Sequence, residues 1–219
     1  KEIKEGEKEM KYSLKAHLLK ETAGAKTVAN LPDDARIVVK GNTNGGCTVL
    51  LYFSGREDFD PSGRATTLRT SNSKIHQLGA LYTSEDPRAD GFGPLLADIA
   101  MEWTTKVAKK WLTIDRSTVS DDAQRTWQYY KDNRMGVDVE GLQLDNKSNL
   151  LTRKKSDNVE ATMADEVMMG FGSGYWSADD PDQYQKDFYR ENAMMWAFKK
   201  QPTVIPQLLT RPNFEIHKW

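Results

Sequence analysis

Two runs rich in β-branched residues, ARIVVKG over 35–41 and CTVLLYF over 47–53, flank the turn-forming stretch NTNGG. Apolar runs of this length joined by Asn and Gly predict a hairpin. Upstream, Tyr12, Leu14, Ala16 and Leu18 alternate with Ser13, Lys15 and His17, the period of a strand with one buried face. The charged decapeptide before them, KEIKEGEKEM, predicts a mobile arm over 1–10. Between 54 and 73 turn residues dominate and apolar ones are few, which predicts a long surface loop. KIHQLGALYTS over 74–84 predicts a strand. After Pro94, the residues Leu96, Ile99, Ala100, Trp103 and Val107 recur at helical spacing, with Glu102 and Lys106 as an i,i+4 pair on the other side.

WLTID over 111–115 then predicts a short strand, and Ser120 followed by Asp121 and Asp122 an N-cap and acidic first turn. The second helix carries Ala123, Thr126, Trp127 and Tyr130 on one face. Strand, helix, strand, helix is a βαβα unit whose two strands run parallel. VDVEGLQL over 137–144 predicts a further strand, followed by a polar connection to about 164. GFGSGYW over 170–176 reads as a connection, with a lid as the alternative. Asp180 and Pro181 cap a helix carrying Tyr184, Phe188, Met195 and Trp196, and IPQLL predicts a last short helix. The pattern as a whole is α/β (α+β): an arm over 1–10, a mixed sheet flanked by helices over 11–150, and a helical C-terminal extension over 151–219 packed on it.

Composition narrows the functional classes. The 219 residues, 38% of them hydrophobic, suffice for one sizeable core. With 31 basic against 32 acidic side chains, the net charge of -1 argues against nonspecific nucleic-acid binding. The basic run TRKK over 152–155 reads as solvated surface. No apolar run is long enough to cross a bilayer and the first residues lack a signal core, so a soluble chain in the cytoplasm is expected, with no membrane partner. A single cysteine excludes internal disulfides. Cys47 lies in an apolar strand and reads as a buried small hydrophobe rather than a nucleophile. His17, His76 and His217 are not spaced as helix-face ligands, which argues against a His/Cys metal site.

The segment PRADGFGPLL remains, where two glycines and a proline open the first helix. Glycine before a helix is a turn device, and bare backbone amides at a helix N-terminus also form a cradle for an anion. In its context, LYTSEDPRADGFGPLL resembles the coenzyme A pyrophosphate signature of the GNAT N-acetyltransferase superfamily, with Arg88, Gly91 and Gly93 at the three defining places. WLTIDRSTVSDDAQRTWQYYKDN is similar to that family's fifth strand and following helix. There Ala123 matches the family's alanine, whereas the usual tyrosine spacing lands on Trp127, with Tyr130 a turn further on the same face. The family's glycine-phenylalanine after this helix is replaced by NRMG. In detail, GPLLADIAMEW and VSDDAQRTWQYYKDNR look most like the acetyltransferase-like proteins of tailed bacteriophages.

The resemblance implies a GNAT-like sheet and acetyl-CoA as cosubstrate. Its diphosphate would lie on the N–H groups of Arg88, Ala89, Asp90, Gly91, Phe92 and Gly93. Its pantetheine arm would pair with the main chain of Leu81, Tyr82 and Thr83, in a splay between the fourth and fifth strands. Asp90 departs from the pattern by setting negative charge beside a phosphate. Glu85 and Asp115 are the implied candidate bases, against a solvated loop residue and a turn cap respectively. Tyr130 is the implied proton donor to the leaving thiolate, against a core tyrosine. Two functions follow: an N-acetyltransferase acting on an amine acceptor, encoded by a phage and working in the host cytoplasm, or an inactive GNAT-fold protein with a binding or structural role, such as a virion component. In the second, the Met- and Trp-rich C-terminal section would bury a protein partner.

Overall fold

The computed structural model describes residues 25–55, 60–116, 119–144, 174 and 176–217. The arm over 1–10, the strand expected over 12–18, the polar connection with its TRKK run, and most of GFGSGYW lie outside the described residues.

β1 (Arg36–Gly41) and β2 (Cys47–Tyr52) form the expected antiparallel hairpin, closed by the pair Gly41 and Cys47. Alternation sends Ile37, Val39, Val49 and Leu51 into the main core, while Val38, Leu50 and Tyr52 cluster on the opposite face. The surface loop expected over 54–73 is corrected. Gly63–Arg69 forms β3, an interior strand between β2 and β4 (Ile75–Thr83). Its apolar content is low because the positions it buries, Gly63, Ala65 and Thr67, are small or polar, and pairing on both sides holds it: Thr66 faces Thr48, Gly63 faces Thr83, and the buried Thr67 Oγ1 accepts the Cys47 N–H at 2.7 Å.

The turn after β4 enters α1 (Gly93–Trp103), which lays Leu95, Leu96, Ile99 and Ala100 across β2, β3 and β4. A π-helical turn, Thr104–Ala108, continues it and stops at Lys109 with φ 57°. The wider turn rotates the following positions, so Val107, expected on the buried face, is 48% exposed. The i,i+4 pair of Glu102 with Lys106 expected on the exposed side is also corrected: Glu102, still within the regular helix, is fully buried and pairs with Lys200.

β5 (Trp111–Ile114) lies parallel to β4, as expected of the βα unit. Ser120 Oγ accepts the Ala123 N–H and starts α2 (Asp121–Tyr129), which runs into a second π-helical turn, Tyr130–Arg134. β6 (Val139–Gln143) follows. The helical extension expected after residue 150 is corrected over its described part. α3 (Pro181–Glu191), capped by Asp180, ends before Met195 and Trp196, and β7 (Trp196–Lys200) enters the sheet between β5 and β6. α4 (Ile205–Leu208) then leads to β8 (Phe214–His217), parallel to β1 at the far edge. The eight-stranded mixed sheet has the order β6-β7-β5-β4-β3-β2-β1-β8. No helix among the described residues is long and apolar enough to cross a membrane.

Candidate functional site

β4 and β5 pair only from Ile75 with Trp111 to Leu78 with Ile114. Their last hydrogen bond is from the Asp115 N–H to the Leu78 carbonyl, 3.1 Å. β4 nevertheless runs on to Thr83, still paired with β3 on its other side. The register of β3 and β4 slips by one residue at Gly79, which has no partner between Leu78 and Ala80. Such a bulge increases local twist and turns the rest of the strand away from its neighbour. A side chain at Gly79 would put its Cβ 2.4 Å from Leu68 Cδ1, so glycine also permits the close approach.

The parting opens a cleft of about 240 Å³. One wall is the free edge of β4 from Gly79 to Tyr82, and the other is built by Asp115 at the end of β5 with Val119, Ser120 and Ala123 at the start of α2. Ser120 Oγ accepts the Ala123 N–H, so its own proton is available to a further acceptor. Of the residues implied for pantetheine, Leu81 and Tyr82 line the cleft and Thr83 ends β4 just beyond it. Asp115 lines it too, whereas Glu85 is exposed on the following loop and outside the lining.

The glycine loop is built from successive turns. The Arg88 N–H donates to Asp86 Oδ1 at 3.0 Å, Ala89 N–H to the Asp86 carbonyl at 2.8 Å, and Phe92 N–H to the Ala89 carbonyl at 3.2 Å. Buried Ala89 and Phe92 anchor the loop in the core, and Gly91 adopts φ +76°, the left-handed conformation that favours glycine. Lys26 fastens it from outside, its N–H on the Gly91 carbonyl at 2.8 Å and its ammonium on the Arg88 carbonyl at 3.3 Å. The expectation that all N–H groups from Arg88 to Gly93 face a ligand is therefore corrected. Those of Arg88, Ala89 and Phe92 close the turns, while those of Asp90, Gly91 and Gly93 make no hydrogen bond among the described residues. A Cβ on Gly93 would meet nothing within 4 Å, so the loop is open on that side.

Arg88 is also committed. Its Nε and Nη2 bind both carboxylate oxygens of Asp86, at 3.1 and 2.8 Å, and its guanidinium stands 4.9 Å from the Phe53 ring centroid and beside Asp34. The hydrogen bonds to Asp86 hold its pKa above the ordinary arginine value. It acts as a brace of the loop.

Tyr130 requires correction as a proton donor at the cleft. The residue is 1% exposed, its hydroxyl donates to Asp98 Oδ1 at 2.6 Å, and it does not line the cleft. Burial, then the adjacent Asp98 carboxylate, push its phenol well above the ordinary tyrosine value. Trp127, in α2, packs edge-on against it at 5.6 Å and is fully buried, so Trp127 and Tyr130 both belong to the core. Gly79 and Val119 escaped the sequence reading. An isolated glycine inside a strand pattern was the available sign of the bulge.

No family model matches the chain, and searches of curated proteins and of solved structures find no match.

Proposed function

We propose that the chain is an acyl-CoA-dependent N-acetyltransferase with a GNAT-like fold. The observation that carries the reading is the parting of parallel β4 and β5 after Leu78, with unpaired loop amides at Asp90, Gly91 and Gly93 following the freed strand. The sheet order, with β7 between β5 and β6, and the resemblance of LYTSEDPRADGFGPLL to the family's pyrophosphate signature support it. In this reading the pantetheine arm lies along the free edge of β4, where unpaired strand groups serve it as they would another strand. The diphosphate then reaches the loop and the N-terminus of α1.

An amine attacks the thioester carbonyl, and its proton passes to Asp115, directly or through water. The developing oxyanion accepts a hydrogen bond from a free N–H of β4. When the C–S bond breaks, the thiolate leaves beside Ser120, whose hydroxyl donates to it; this is the role the sequence reading gave to Tyr130. Glu85 has no part in this scheme.

The second reading, a GNAT-fold binding or structural protein without catalysis, is favoured by one pair of observations. Tyr130 is sealed in the core on Asp98, and Arg88 is spent on Asp86. Thermal-shift titration with acetyl-CoA tests the fold of the site, and release of free thiol in the presence of primary amines tests the chemistry. A ligand at 100 times its dissociation constant stabilises by about 2.7 kcal/mol. No shift at millimolar acetyl-CoA overturns the first reading. A shift that Gly93→Val abolishes, without thiol release from any amine, establishes the second.

A further inference from the structure

We propose a second ligand site, at the opposite end of β4 from the cleft, that binds an anion of the phosphate or phosphomonoester class. A cavity of about 290 Å³ opens there beside the hairpin turn of β1 and β2. Arg69 at the end of β3, His76 near the start of β4 and Lys110 just before β5 all line it, and its lining contains no acidic residue. Arg69 and His76 are cross-strand partners, and Lys110 is held alongside by its ammonium on the Ser73 carbonyl.

Three features point to a ligand rather than to a solvated basic surface. Neither Arg69 nor Lys110 forms an ion pair among the described residues, although both are close enough to His76 for their charges to act on its ring. Like charges gathered without a carboxylate repel one another, and an anion removes that repulsion. His76 is 3% exposed, and its Nδ1 is buried without a hydrogen-bond partner among the described residues. Buried imidazole nitrogens are normally satisfied, so an orphan on a residue that lines a polar cavity beside two cations is available to a partner from outside the chain. Finally, the side chains of Thr43 and Asn44, which line the same cavity, make no hydrogen bond among the described residues and bring neutral donors. Guanidinium, ammonium, imidazole, hydroxyl and amide converging from different elements suit a tetrahedral oxyanion with several acceptor oxygens better than a planar carboxylate.

The site is independent of the acyl-CoA reading, because its residues share nothing with the cleft or the glycine loop. His76 reports on it directly. Burial, Lys110 and Arg69 together hold its pKa below the ordinary histidine value, and a bound anion would raise it. The test is an NMR titration of the histidine ring protons of the full chain between pH 5 and 8, in inorganic phosphate, in adenosine monophosphate, in citrate, and in sodium chloride matched for ionic strength.

A saturable rise of the His76 midpoint in phosphate, absent in chloride, is expected. Arg69→Gln and Lys110→Gln should each weaken it by about tenfold to a hundredfold, the range for a charge-assisted hydrogen bond. Both replacements lie near the surface. A greater response to adenosine monophosphate than to phosphate identifies a phosphomonoester as the ligand, and the reverse identifies the free ion. Chloride reproducing the shift, a response unchanged in the Arg69→Gln/Lys110→Gln double variant, or citrate acting as strongly as phosphate would overturn the assignment.

Discussion

The ammonium of Lys200 donates to the carboxylate of Glu102, and neither side chain is reached by solvent. The pair ties β7 to α1 and sits in a larger group. Asp98 and Asp138 lie 3.9 and 3.4 Å from the same ammonium, and Arg134 bridges the two. Glu102 also takes the backbone N–H groups of Thr203 and Val204 on Oε1 and of Ile205 on Oε2, at 2.7 to 2.8 Å. One carboxylate thus neutralises a buried cation and caps the start of α4.

Removing one partner strands the other. Lys200→Met is expected to cost about 3–5 kcal/mol, read from urea or guanidinium unfolding. An apolar double replacement, Lys200→Met with Glu102→Leu, should not recover the loss, because three N–H groups then lack an acceptor and leave at least about 1–3 kcal/mol of destabilisation. Wild-type stability in the double variant would show that the caps are dispensable.

The two aspartates of the group should give opposite pH dependences. Burial raises the Asp138 carboxyl, but the hydrogen bond and charge of Arg134, with Lys200, outweigh it and hold its pKa below the ordinary value. Its stabilisation is present above the ordinary aspartate range and is lost as pH falls through the lower folded-state value. Asp98 lies the other way: burial pushes it up more than Lys200, Arg134 and Tyr130 pull it down. Its contribution is full below the ordinary range and declines as pH rises through the raised value. Unfolding midpoints measured from pH 3 to 7 should therefore show a shallower acid limb in Asp138→Asn and a flatter profile just above about pH 4 in Asp98→Asn.

Cys47 should be inert in the native state. Burial pushes its thiol up to about 12, with the Thr67 hydrogen bond acting slightly in the other direction, and the residue is 0% exposed. Alkylation at pH 8 followed by mass spectrometry should find modification only at the rate of unfolding, and rapid labelling in denaturant. Fast labelling of folded protein would mean that the β1–β2 hairpin opens locally.

The loop glycines should separate stability from binding. Gly91→Ala forces a side chain into the left-handed region and should cost about 1–2 kcal/mol. Gly93 has a clear space around its Cβ direction and no positive φ, so Gly93→Ala should stay within about 0.5 kcal/mol of wild type. If acetyl-CoA binds as proposed, Gly93→Val remains folded and loses the ligand-induced thermal shift. An undiminished shift would move the diphosphate elsewhere.

How far the sequence reading reached depended on range. The hairpin of β1 and β2, the helix after Pro94, the parallel β5 and the Ser120 cap were legible, because each is written in residues within a turn or two of one another. β3 was not: Ala65 and Thr67 are small or polar, and their burial comes from strands on both sides. β7 was mistaken for helix because Met195 and Trp196 continue an apolar spacing after Glu191, and only its partners in β5 and β6 make it a strand.

Residue types and local periods, then, determined by themselves the alternating strands, the amphipathic helix, the glycine at the loop's left-handed turn and the burial of Cys47, since propensity and hydrophobic patterning act over a few residues. Tertiary structure alone decided which charges are buried, which amides are left over, and that Tyr130 belongs to Asp98 rather than to the cleft. Those outcomes depend on desolvation and on partners far away in the chain, as between Lys200 and Glu102, and no local window contains both members of such a pair.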